Sequence, residues 1–124
     1  EIKLSDYTWT STLSIEEYKA ILKRCSFIIG NSSSGIHEAA TYKKPVINIG
    51  TRQNKRLKSI NILNTGYNFK EIKKKIDICL KNKLFLKKIK KIKNPYGEGN
   101  SSKKIVKIIK KLNLNFNTQK INTY

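Results

Sequence analysis

The sequence predicts an α/β layer with a mostly parallel sheet, and three observations carry that prediction. Phe27-Ile28-Ile29-Gly30 and Val46-Ile47-Asn48-Ile49-Gly50 are short apolar runs closed by glycine, the pattern of strands covered on both faces. Segments with apolar residues three and four apart surround them, the period of a helix with one buried side. The resulting order, helix–strand–helix–strand–strand–helix, is the alternation that builds parallel sheets, and right-handed crossovers then place the helices on the sheet faces.

Each element has its own signal. Residues 1–14 read as irregular chain or a strand remnant with a loop. Ser14 is placed to cap the first helix, in which Ile15, Tyr18, Leu22 and Cys25 mark one face over about 15–25. After the first strand, Asn31-Ser32-Ser33-Ser34-Gly35 reads as a tight polar turn, and 36–42 as a short helix stopped before Pro45. The second strand is followed by a polar, basic loop over 50–56. Ile60-Asn61-Ile62-Leu63 reads as a third, shorter strand. Phe69, Ile72, Ile76, Cys79 and Leu80 line one face of a longer helix, and 84–92 form another. Asn94-Pro95-Tyr96-Gly97-Glu98-Gly99-Asn100 breaks the helical pattern. Ser101 or Ser102 is the expected cap of a last helix with Ile105, Ile108, Ile109 and Leu112 inward, and 113–124 is expected to fray. Three strands make a thin sheet, so neighbours from elsewhere are expected and stability alone should be marginal.

The chain has 124 residues, one small domain or part of a larger one. It starts Glu1-Ile2-Lys3 without an initiator Met or a basic-then-apolar signal region, so a piece lacking its N-terminal part is the simplest expectation. No apolar run approaches the roughly 20 residues that span a bilayer. The balance of 27 Lys+Arg against 8 Asp+Glu gives a net charge of +19. Such an excess can serve nucleic acid. However, the basic residues are nearly all Lys, and Asn and Ile are also abundant; all three share AT-rich codons. The lysines spread over several helical faces without interleaved aromatics, so composition bias explains them better than a nucleic-acid partner. Cys25 and Cys79 fall on apolar helix positions, as buried thiols of a reducing cytoplasm do. Two Cys and one distant His argue against a zinc site, and no cofactor is expected.

The stretch from Phe27 to Glu38 holds the chemistry. In open α/β sheets ligands bind beyond the carboxyl ends of strands. The first N–H groups of a helix there are unpaired and attract anions. The hydroxyls of Ser32, Ser33 and Ser34 add donors, and Gly35 would let a phosphate approach the backbone. The competing reading is that one serine only caps the helix. Glu38 has no Ser or Thr three residues earlier for a capping box, and a carboxylate beside a diphosphate would repel it. Vicinal sugar hydroxyls are its natural partner, which suggests phosphate on the serines and ribose on Glu38. Arg52 and Arg56, just after the second strand, leave the same sheet end and offer forked donors for phosphate, although a basic loop can be merely solvated. His37, the single histidine, points about 100° around the axis from Glu38 and suits an indirect or surface role.

At these residues the chain resembles the hydrolysing UDP-N-acetylglucosamine 2-epimerases of sialic-acid and related nonulosonate biosynthesis. The resemblance rests on Gly30-Asn31-Ser32-Ser33-Ser34-Gly35-Ile36-His37-Glu38, on Lys44 to Gln53 with Arg56, and on Tyr96-Gly97-Glu98-Gly99-Asn100-Ser101-Ser102. It spans roughly residues 10 to 112. It implies a partial Rossmann-like domain, the C-terminal half of a glycosyltransferase-B-type fold, with 1–112 belonging to the UDP-binding domain. It further implies phosphate and ribose contacts at Ser32, Ser33 and Glu38, a nucleotide contact at Arg52, and uracil against the loop near Leu13. The family's acid and base carboxylates and its important histidine would lie in an absent first domain, so this chain has no catalytic residue to name. UDP-N-acetylglucosamine or a related UDP-hexosamine is the expected ligand, the absent domain the expected partner, and a homo-oligomer the expected full-length form. Other readings are a non-hydrolysing epimerase or glycosyltransferase fragment, a basic nucleic-acid module, and an inactive truncated product.

Overall fold

The computed structural model describes residues 8–112; the first seven residues and the tail expected to fray, 113–124, lie outside them. Residues 8–14 form neither helix nor strand. The chain then runs α1 (Ile15–Arg24), β1 (Ile28–Gly30), α2 (Ser33–His37), β2 (Val46–Ile49), β3 (Ile62–Thr65), α3 (Phe69–Lys81), α4 (Lys83–Ile89) and α5 (Ser101–Ile109). The strands form one sheet in the order β1-β2-β3, parallel throughout, and the whole is a partial Rossmann-like α/β domain. Ile28 pairs with Val46 and Val46 with Ile62, so one sheet face carries all three. Ile36 and Ala39 pack onto that face and make the main core cluster with them.

Helix starts follow local chemistry. Ser14 caps α1 in a full capping box: its hydroxyl accepts from the Glu17 N–H, and the Glu17 carboxylate accepts from the Ser14 N–H at 2.8 Å. Asn68 caps α3 through Lys70 and Glu71, and Asn82 caps α4 through Phe85. A polar ladder also crosses the sheet: buried Asn48 donates to Asn64 of β3 at 2.9 Å, and Asn61 donates to the Lys44 carbonyl at 2.8 Å.

Four expectations are corrected. The helix placed at 36–42 starts three residues earlier, at Ser33, and ends at His37, with turns filling 38–43. The serines therefore form its first turn rather than a separate loop. The third strand lies two residues later than its apolar residues suggested, because Asn61 is drawn inward to the Lys44 carbonyl and Ile60 is left exposed. The last helix has Asn100 at its cap with no side-chain bond, and Ser101 is already helical. That helix buries none of its residues: Ile105 is 54% exposed and Ile108 60%. Its apolar stripe has no partner among the described residues. A second small cluster, Ala40 with Ile89 and Ile92, joins α4 to the turn after α2.

Candidate functional site

Parallel pairing sends the carboxyl ends of β1 and β2 to one rim of the sheet. Asn31-Ser32 leaves β1 there, and the loop over 50–61 leaves β2 there. Ser32 is exposed and is the cap of α2; its Oγ accepts from the Ser34 N–H at 3.3 Å. A serine hydroxyl that accepts one bond still has a proton to donate. Capping and anion binding are therefore compatible at Ser32 and need not be alternatives. Ser33 and Ser34 are half-buried beside it.

Gly35 follows them in the same turn. It is buried in the first turn of α2, and a Cβ built on it would lie 3.0 Å from Cγ1 of Val46. Its missing side chain lets α2 seat on β2. The geometry gives this glycine a packing reason on the sheet side of the helix.

Glu38 is not in the first turn of α2, as the sequence suggested, but caps its carboxyl end. A carboxylate there opposes the helix dipole, so local helix electrostatics do not account for it. It is exposed and forms no ion pair among the described residues. Burial first, and then the Glu38 carboxylate, push the Tyr18 phenol of α1 above its usual value. From Ser32 to Glu38 the axis advances about 9 Å at the α-helical rise. Helix side chains lean toward the amino end, which shortens that gap.

The loop over 50–61 is fastened to α2. Gln53 is 1% exposed, and its Nε2 donates to the Asn31 carbonyl at 2.8 Å, one residue before Ser32. Its other amide atom, Oε1, is buried without a partner among the described residues. This bond sets Arg52, the next residue back, on the same rim as the serines, with its side chain exposed. Farther along the loop, Arg56 Nη1 meets His37 Nε2 at 2.5 Å. Arg56, expected to face phosphate, is thus engaged with His37. His37 in turn stacks on Tyr96, with ring centroids 4.2 Å apart. Leu13 is half-buried just ahead of the α1 cap.

Gln53 and Tyr96, which hold this loop and His37, do not stand out as site residues in the sequence. Gln53 stands in a polar loop where no period signals burial. Beside this rim, Gly50, Thr51, Asn54, Thr65, Tyr67 and Glu71 help line a groove of about 410 Å³ beyond the ends of β2 and β3. Gly50, at φ +77°, lies under Tyr67; a Cβ there would come within van der Waals overlap of the phenol oxygen. Among the described residues no cluster of His, Cys, Asp and Glu could hold a metal ion, and no helix is long and apolar enough to cross a membrane.

Residues 2–110 match the model of a family described as UDP-N-acetylglucosamine 2-epimerase. The chain is 34% identical over 107 residues to the polysialic acid biosynthesis protein P7 of Escherichia coli, covering 85% of this chain and 27% of that protein. It is 35% identical over 98 residues to the hydrolysing UDP-N,N'-diacetylbacillosamine 2-epimerase of Legionella pneumophila, covering 79% of this chain and 25% of that one. To the UDP-N-acetylglucosamine 2-epimerase of Neisseria meningitidis serogroup B it is 41% identical over 61 residues, 49% of this chain and 16% of the relative. The chain thus spans about a quarter or less of the relatives it matches.

Proposed function

The chain belongs to the UDP-N-acetylglucosamine 2-epimerase family, and on that premise we propose that it is the UDP-gripping C-terminal part of a hydrolysing member. The diphosphate sits at the amino end of α2, on the Ser32 hydroxyl proton, the Ser33 and Ser34 side chains and the free N–H groups of the first turn. Arg52 reaches it from the β2–β3 loop, and Glu38 accepts from the ribose hydroxyls. Leu13 lies against the uracil. The observation that carries this reading is the half-buried Gln53–Asn31 bond, which fastens the arginine-bearing loop beside the serine end of α2.

In the reaction, UDP is eliminated across C1–C2 of the sugar to give a glycal, and water adds with inversion at C2 to release N-acetylmannosamine. The groups that move protons belong to a first domain, in a glycosyltransferase-B-type arrangement that places the substrate in the cleft between two halves. Donors held in place here lower the cost of charge growing on the departing diphosphate, so this rim contributes to the rate as well as to binding. UDP-N-acetylglucosamine or a related UDP-hexosamine is the substrate, and the enzyme is cytoplasmic and homo-oligomeric. The unpartnered apolar stripe of α5 supports the presence of further protein around this domain.

Calorimetric titration with UDP tests the assignment. Glu38→Ala and Arg52→Ala in the full-length enzyme should each weaken binding by about 1–3 kcal/mol, the scale of a lost charged hydrogen bond. Unchanged affinity in both variants would remove the nucleotide from this rim.

A further inference from the structure

The segment from Asn94 to Asn100 crosses the outside of α2 and touches the loop that carries Arg52. Asn94 Nδ2 donates to the His37 carbonyl at 2.7 Å and to the Thr41 hydroxyl at 2.8 Å. Its Oδ1 accepts from the Tyr96 N–H at 3.0 Å, so both ends of the amide are engaged. One of the carbonyls that a helix leaves unpaired at its carboxyl end is thereby satisfied. The Tyr96 hydroxyl donates to the Leu57 carbonyl at 2.9 Å, and its ring lies against His37. Arg56 Nη1 also meets His37 Nε2.

Between its strand-bonded ends, the irregular loop over 50–61 is therefore held to α2 and its flanks at two places. Gln53 holds its early part to Asn31. Tyr96, through Leu57 and through His37 and Arg56, holds its later part. Arg52 has no bond of its own among the described residues, so its place is set by these neighbours. We propose that Asn94 and Tyr96 are positioning residues for nucleotide recognition: they lock the β2–β3 loop onto α2 and so fix Arg52 opposite the serine end of that helix. This inference rests on the nucleotide reading above and gives the Asn94–Asn100 segment a part in it.

The test is a double-mutant cycle in the full-length enzyme. Tyr96→Phe keeps the ring on His37 and removes only the hydroxyl bonded to Leu57. UDP affinity should fall about two- to tenfold, the range of one neutral hydrogen bond. In an Arg52→Ala background the same change should cost nothing further, because the loop then has no arginine to place. A role in stability alone would weaken binding by the same factor in both backgrounds. Amide hydrogen exchange supplies a readout independent of UDP: residues 50–58 should exchange faster in Tyr96→Phe, with β2 and β3 unchanged. Full affinity in Tyr96→Phe, equal losses with and without Arg52, or unaltered exchange over 50–58 would overturn the latch. If Arg52→Ala leaves UDP affinity intact, the positioning role falls with it; if Glu38→Ala does so as well, the nucleotide reading falls too, and the exchange result still decides whether Tyr96 latches the loop.

Discussion

Replacing Gly35 with alanine separates two roles for that residue. The new Cβ would stand 3.0 Å from Cγ1 of Val46, a side chain only 3% exposed and held by Ile36, Ala39 and Ile62. Carbon atoms prefer separations of about 3.5–4.0 Å, so Val46 or the helix must move by roughly half an ångström. Overpacking of this kind costs about 1–3 kcal/mol. Alanine recovers about 0.5–1 kcal/mol of that, because glycine in a helix loses more conformational freedom. The net expectation is a destabilisation on the order of 1 kcal/mol, and at most about 2.5. Urea unfolding of the full-length enzyme, followed by circular dichroism, measures it. In a Val46→Ala background the clash has no partner, so Gly35→Ala should become neutral or stabilising there. An equal increment in both backgrounds, to within about 0.5 kcal/mol, would refute the packing argument. So would a variant of undiminished stability that had lost its affinity for UDP, since the glycine would then serve the ligand.

Two further outcomes follow from local chemistry. Bonds from the Ser14 backbone, then its side chain, hold the Glu17 carboxyl below its ordinary value of 4.5. A depressed acid stabilises the fold above its unfolded value and loses that contribution as pH falls through the folded one. The amino end of α1 should therefore fray earlier in acid than the same helix carrying Glu17→Gln, as read from amide exchange at 15–18; identical acid profiles would count against the capping box. Burial pushes the Cys79 thiol up to about 11, with Lys75 opposing it, while Cys25 is half-buried and donates to the Leu22 carbonyl at 3.6 Å. Iodoacetamide at pH 8 should modify Cys25 first and reach Cys79 only on unfolding; mass spectrometry showing comparable rates in the native state would contradict the burial of Cys79.

Much of the frame was legible from the amino-acid order. Apolar runs ended by Gly30 and Gly50 located β1 and β2, and helical spacing located α1 and α3, because burial of one face imposes a period on the chain. The parallel sheet followed, and with it the shared rim of Ser32 and Arg52. The start of α2 is not legible in the sequence because its first turn consists of serines and glycine, which carry no apolar period. For the same reason the sequence puts Glu38 in the first turn, although it caps the carboxyl end. The third strand was placed two residues early because isoleucines on either side of Asn61 look alike in sequence, whereas only Asn61 finds a carbonyl to bond.

By itself, then, the order of residues determined the repertoire of elements, the parallel sheet and the rim that Ser32 and Arg52 share. Those features depend on periods and turns within a few residues of each other. Only tertiary structure decided that Gly35 yields space to Val46, that buried Gln53 holds the arginine loop, and that Asn94 and Tyr96 close over α2. Asn94 meets His37 across 57 positions and Tyr96 meets Leu57 across 39. Contacts at such separations arise from how finished elements stack, and a polar side chain shows no sign along the chain of which distant carbonyl it will satisfy.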